Sequence, residues 1–261
     1  MIWDVMNGCR YWRILLLSLS IAAAGCSSYR YYTGTLKPLQ EEFQGLGKEV
    51  ADDGTVTFRQ ERLEISLRPT TSEELNRQFN SHSNQGAHST NPYTFGDSKS
   101  FRTGETPERF TVFHLRVENY EYPKVHIDPR RIHITTQNGR QYYALSFEQL
   151  YVYFRRYAGG GEGGVLPGIP GNEFNEWRSR IDVLRSTMFS DAHIFSAQER
   201  EGYIVFKPLA PDVSRVTVHI LDVALRFDYK DEPIETTDVT AEFERDVGRI
   251  YADGHIEMSA H

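Results

Sequence analysis

Nine histidines are the side chains of this sequence best suited to hold a metal or carry a proton near neutral pH, and their spacing favours neither task. His82 and His88 share one polar stretch, and His126 and His133 flank Ile127-Asp128-Pro129. Neither pair has the His-Glu-x-x-His order that puts two ligands on one helix face. His114 and His219 alternate with apolar residues, which assigns them to outer faces of strands, and His193 stands alone. All are read as structural or surface residues, with no metal site. Gly159-Gly-Gly-Glu-Gly-Gly164 lacks the Gly-Lys-Ser/Thr ending of a phosphate cradle and reads as a flexible hinge. The acidic stretches 228–235 and 242–246 lack the residue order of a calcium loop and read as a solvated strand rim. No Gly-x-Ser-x-Gly elbow offers a serine nucleophile. No catalytic residue and no cofactor is assigned, and the chain is expected not to be an enzyme.

The two cysteines are Cys9 and Cys26. Arg10 and Arg13 precede an uncharged apolar run from Ile14 to Ala24, which closes in small residues. Positive, apolar and small residues in that order make a secretory signal peptide. The run is too short to span a bilayer as a helix, which takes ~20 apolar residues. Ala23-Ala24-Gly25-Cys26 resembles the lipobox of bacterial lipoproteins. The resemblance implies cleavage between Gly25 and Cys26, a diacylglycerol on the Cys26 sulfur, and a permanent anchor of two or three acyl chains. Ser27, where an aspartate often retains such proteins at the inner membrane, implies the outer membrane, facing the periplasm or the cell surface. Cys9 would leave with the leader and Cys26 would carry lipid. Disulfides, thiol catalysis and cysteine-rich zinc sites are then excluded.

Residues 26–261 suffice for one large domain or two small ones. Losing Arg10, Arg13 and Asp4 with the leader takes the net charge from −7 to −8. An acidic chain gains nothing from an anionic bilayer surface, so lipid must do the anchoring. Nucleic acid, which needs a basic footprint, is not an expected partner.

The elements that must position any site are mostly strands. Residues 26–52 read as a tether and arm, with Leu36, Leu39, Phe43, Leu46 and Val50 spaced as one helical stripe. From Thr55 the period becomes two, with Val56 and Phe58 on one parity and Leu63, Ile65 and Leu67 on the other. That flip requires a bulge or tight turn near 59–62. Thr71 and Glu74 form a capping box for a short helix. Residues 80–108, rich in Ser, Asn, Gly and Thr, read as a long mobile loop. Strands are expected at 110–119, before and after Asn138-Gly139 in a type I′ turn, at 203–206, at 216–220, at 223–229 on the opposite parity, and at 239–243. Ser146 and Gln149 cap a helix to Tyr157, and Asn172 begins a second one to 188. The reading is a single β-sandwich over 53–247 with a helical insert at 146–193 and a C-terminal tail at 248–261.

Phe110–Leu145 together with Gly202–Tyr229 resembles a bacterial immunoglobulin-like module found in lipoproteins of unknown function. The pattern is Phe-His-Leu-Arg-Val-Glu-Asn119, the Asn-Gly hairpin with Tyr142-Tyr143, then Gly202-Tyr-Ile-Val-Phe206 and the strand Ser214–Ile220. The resemblance implies an antiparallel sandwich outside the cytoplasm with binding or scaffolding duties, and it supplies no catalytic residues. A membrane-anchored envelope lipoprotein recruiting an envelope protein is therefore the favoured expectation. Tyr151, Phe154 and Trp177 are the candidate partner surface, although as helix stripes they read most simply as core. The alternative is a periplasmic module that binds a small ligand or a metal through loops 80–108 and 158–171. A pocket with converging polar groups would favour the alternative, and an exposed apolar or edge surface the first.

Overall fold

A computed structural model describes residues 29–101, 104, 106–158, 172–251 and 253–258. Gly25, Cys26 and the rest of the leader lie outside the described residues, as does the loop 159–171. The chain begins with β1 (Tyr29–Thr33), β2 (Lys37–Pro38), the one-turn helix α1 (Glu41–Gln44), β3 (Lys48–Val50), β4 (Val56–Gln60) and β5 (Leu63–Thr70). Helices α2 (Ser72–Gln78) and α3 (Asn80–Ser83) precede β6 (Thr111–Asn119), β7 (Lys124–Val125), β8 (Ile132–Thr136) and β9 (Gln141–Tyr143). Helices α4 (Phe147–Ala158) and α5 (Asn172–Thr187) follow. Then come β10 (Ile194–Phe195), β11 (Gln198–Phe206), β12 (Arg215–Phe227), β13 (Pro233–Glu244), β14 (Val247–Tyr251) and β15 (Ile256–Met258).

The protein is mainly β, built from several antiparallel sheets. One five-stranded sheet runs β11-β6-β5-β4-β3 and another β2-β13-β12-β8-β9. Their inner faces share one apolar core. Ile65, Phe113, Leu115 and Val117 come from the first sheet, and Ile134, Val218, Ile220 and Phe243 from the second. Phe113 meets Phe243 edge-on at 5.2 Å between centroids, the arrangement that ring quadrupoles favour. Alternation carries this core, because every second residue of β6 and β12 points inward.

Both parity flips have a structural cause. The flip after Phe58 is a two-residue turn in which Gln60 pairs with Leu63 and Glu61 takes φ +47°. The flip after Ile220 is a bulge inside one continuous strand, with Asp222 at φ +55°.

The first sheet is covered on its other face too. Val112, Tyr203 and Val205 project there into a second core with Leu75, Tyr93, Leu150, Phe154, Ile181 and Leu184. Covering both faces explains why Tyr203–Phe206 is an unbroken buried run instead of an alternating one.

The arm holds only the short helix α1, in keeping with a short helix or irregular arm, because Gly45 and Gly47 adopt φ +88° and +75°, values that a helix cannot continue. Two expectations need correction. The segment expected as a C-terminal tail contains most of β14 and all of β15, and β14 pairs with β1 from Tyr29↔Tyr251 to Thr33↔Val247. The Asn138-Gly139 hairpin joins β8 to β9 as expected, but its turn is not type I′. Thr136 and Arg140 bond across a three-residue loop, and only Gly139 has a positive φ, +77°.

Candidate functional site

The expectation of a mobile loop across 80–108 fails over residues 80–97, which are folded and partly buried. Ser89–Thr94 is buried without a break, held by a hydrogen-bond network. Asn91 Nδ2 donates to the Ser83 hydroxyl at 3.0 Å and to the Leu75 carbonyl at 3.3 Å, and Asn91 Oδ1 accepts from the Tyr93 amide at 3.0 Å. Arg180 of α5 donates to the Ser89 carbonyl at 2.6 Å, and Tyr93 shares a 2.6 Å bond with the Thr187 hydroxyl. These bonds tie the polar segment to the helical insert. The composition that reads as solvated loop is here the interior of a lobe.

The insert's candidate partner residues divide. Phe154 is 1 % exposed, so it is core and presents nothing to a partner. Tyr151 and Trp177 are half-buried and meet edge-on at 5.2 Å. Among the described residues of the insert, Val152 and Phe174 are exposed large apolar side chains.

One cleft lies where the insert meets the sheets. A groove of about 460 Å³ runs between the start of α4, the end of α5 and the turn Asp128–Arg130. Its apolar floor includes Leu145, Phe147, Leu184, Met188 and Phe189. The α4 wall is fixed by the Ser146–Gln149 capping box, with Gln149 Oε1 accepting from the Ser146 amide at 2.9 Å. The opposite wall depends on Gly202. A Cβ there would fall 2.6 Å from the Cα of Phe189, so only glycine lets the chain leaving α5 lie on β11.

Charges of both signs line the rim. Arg130 grips Asp128 with two bonds of 2.9 and 3.0 Å and approaches Asp191 at 3.6 Å. Partial burial alone would raise the Asp128 pKa, but hydrogen bonds from the Arg130 side chain and amide outweigh it and hold the carboxyl below the usual range. Asp191 also bonds His126 Nε2 at 2.6 Å. The ring of His126 lies 5.1 Å from that of His193, which faces Asp231 at 3.9 Å. Burial, then the charges of His126 and Lys124, push the His193 pKa down. Arg185, on the far rim, lies over the Phe147 ring at 5.7 Å.

A second cleft of about 430 Å³ lies beneath β1 and is hydroxyl-rich, with Thr33, Thr70, Thr71 and Thr111 among its walls. At its floor Arg245, 5 % exposed, donates to the carbonyls of Val213 and Ala210 at 2.8 Å each. Its Nη1 stands 4.0 Å from Glu108, which accepts from Thr111 Oγ1 at 3.0 Å. Although 40 % of the Glu108 side chain stays exposed, desolvation raises its pKa, against the pull of Arg245 and Thr111. His133 and His219 stack at 4.7 Å on the outer face of the second sheet. Among the described residues no group of three or more His, Cys, Asp or Glu is placed to hold a metal ion.

Sequence reasoning missed Arg130, Asp191, Glu108 and Arg245; Arg130 bonds its near neighbour Asp128, but Asp191 meets His126 and Arg130, and Glu108 meets Arg245, only across long stretches of chain. One signal was available: Asp128-Pro129 reads as a helix start, and Asp128 does cap the Pro129–Arg131 turn.

No family model matches this sequence, and no curated protein matches it. Among solved structures the chain is similar to the yjhA protein from Bacillus subtilis, with 8 % identity, a TM-score of 0.32, and coverage of 70 % of this chain and 93 % of that one.

Proposed function

We propose that this chain is a lipoprotein of the bacterial envelope, anchored through Cys26 in the outer membrane, and that it works as a non-enzymatic binding component. The leader supports the anchor: Arg10 and Arg13, the apolar run, and small residues directly before Cys26. On this reading the two facing sheets are an immunoglobulin-like sandwich serving as a rigid mount, and the groove beside the insert is the recognition surface. The observation that carries the binding role is that groove, about 460 Å³ with an apolar floor and a rim of paired charges. It suits an envelope protein segment offering one or two apolar side chains flanked by charge.

The test uses the full chain in membranes of its host, with a photoreactive residue at Glu148 on the rim or at the exposed Tyr143 on β9. One discrete protein adduct from position 148 and none from 143 is expected. Equal adducts from both positions, or none from 148, would remove the groove from the account. The anchor is tested separately: labelled fatty acid enters the wild type and not Cys26→Ser.

A second reading, a small polar ligand in the cleft beneath β1, is favoured by the buried guanidinium of Arg245 facing Glu108 across a hydroxyl-lined space. Simple sugars should then raise the thermal midpoint of the wild type more than that of Glu108→Gln, whereas simple carboxylates, which compete with Glu108 for Arg245, should raise that of the variant more. Equal shifts exclude it.

A further inference from the structure

The three-stranded terminal sheet turns a face to solvent that neither core explains. Side chains directly opposite one another, and those two apart along a strand, share a face. The registers Tyr29↔Tyr251, Tyr31↔Arg249 and Arg249↔Glu257 therefore put Tyr29, Tyr31, Tyr251, Arg249 and Glu257 together. The rings form one patch, with Tyr29 and Tyr31 5.6 Å apart, Tyr29 and Tyr251 6.3 Å apart, and the Arg249 guanidinium 4.8 Å above Tyr29. Tyr29 is 43 % and Tyr31 45 % exposed, and none of these residues belongs to either apolar core.

We propose that this sheet is a foot that rests on a phospholipid surface, the Tyr29–Tyr31–Tyr251 face lying among the headgroups with Arg249 beside lipid phosphate. The proposal rests on the lipid anchor at Cys26. Tyr29 is the third residue after Cys26, and three residues extend at most ~10 Å. An acyl-anchored Cys26 thus holds the face within about that distance of the bilayer interface. Tyrosine suits that place, because its ring is apolar and its hydroxyl finds water or headgroup oxygen, and tyrosines concentrate at membrane interfaces. Arginine suits it because its planar fork matches phosphate. The chain's net negative charge offers no general attraction to an anionic bilayer, so a local contact beside the anchor is what sets its orientation. The groove beside the insert would then be held at a constant attitude to the membrane.

The experiment uses the full chain in cells grown with labelled phosphate, carrying a photoreactive phenylalanine at position 31, at 29, or at 143 as control. Irradiation should attach phospholipid label at 31 and 29 several-fold more than at 143. Fatty-acid labelling of the same proteins is read in parallel. Fatty acid on the chain with no excess phospholipid at 31 and 29, or with protein or glycan adducts there instead, overturns the foot and leaves the anchor standing. No fatty acid on the wild type removes the anchor, and the foot with it. Two probe positions guard against one substitution disturbing the sheet.

Discussion

Between the facing sheets, cohesion comes from alternate apolar side chains such as Ile65, Phe113, Leu115 and Val218, with no polar partner required. On the far side of the first sheet, Asn91, Ser83, Thr94 and Tyr93 are buried just as completely, and each is held by specific hydrogen bonds. The two interiors therefore fail differently. Removing a methylene from between the facing sheets costs transfer energy and leaves a cavity. Removing one amide from the lobe leaves several buried donors and acceptors without partners, each costing ~1–3 kcal/mol. The lobe joins α2 and α3 to the insert, so it also sets where the groove beside the insert stands.

Substitutions can break that contrast. The largest expected loss is Phe113→Ala, about 3–5 kcal/mol, because the ring is fully buried against Phe206 and Phe243. Urea denaturation should show a lower midpoint for the whole molecule, and a loss under 1 kcal/mol would deny that the sheets share one core. Next comes Gly96→Ala, about 1–3 kcal/mol for a residue at φ +63°. The new Cβ would also stand 2.8 Å from the Ser89 Cβ and closer still to the Ser83 carbonyl. Limited proteolysis should then cut within 80–98 while leaving β6 and β12 intact. An unchanged cleavage pattern would mean the lobe is not a close-packed unit.

Strand grammar made the antiparallel strands readable, since Phe113-Leu115-Val117 and Val216-Val218-Ile220 carry their period on their face. Even the bulge at Asp222 was visible as a change of parity. The lobe was not readable, because Ser, Asn, Gly and Thr compose solvated loops and hydrogen-bonded interiors alike. What distinguishes them is which partner each amide meets, and Asn91 meets residues 15 and 16 positions away. The insert's helices were legible, the first from its capping box and both from their apolar stripes, but the groove was not. Its rim comes from Asp128, Arg130 and Asp191, brought beside Glu148 and Arg185 only by the fold.

Acidity offers a gentler probe. His114 and His219 have pKa values lowered chiefly by burial, one on the insert side of the first sheet and the other on the outer face of the second. With a lowered folded pKa, the unfolded chain takes up the proton first. Their contribution is thus complete above ~6.5 and is lost as pH falls through the interval down to the folded values. Asp212 and Glu199, held low by hydrogen bonds from Arg140 and Arg116, lose theirs only below ~4.3. Glu108 works in the opposite sense, its raised pKa favouring the folded state until pH climbs through it. Stability should therefore fall between pH 7 and pH 5 before the carboxylates titrate, and His219→Gln should shrink that first step. A flat profile over that interval contradicts the burial of these rings.

The smallest effects belong to the edges. Thr71→Ala removes the α2 cap, whose hydroxyl accepts from the Glu74 amide at 3.2 Å, and should cost ~1 kcal/mol in urea melts. Arg140→Ala breaks an exposed two-bond pair with Asp212, which water and salt screen, and should lower the urea midpoint less than Thr71→Ala does, and less still in high salt. A larger loss at Arg140 than at Thr71 would reverse the ranking of surface charge below capping.

The claim that a polar lobe, ordered as firmly as the sheets, supports the insert is tested most directly by amide hydrogen exchange of the native protein. The amides of Thr90 and Asn91 both bond the His82 carbonyl, at 2.8 and 3.0 Å, and that of Asp97 bonds the Ser83 carbonyl at 3.0 Å. The account predicts protection at these three amides approaching that of Leu115 and Val117 in β6. Exchange at the rate of an unstructured chain across 89–97, with β6 still protected, would contradict it.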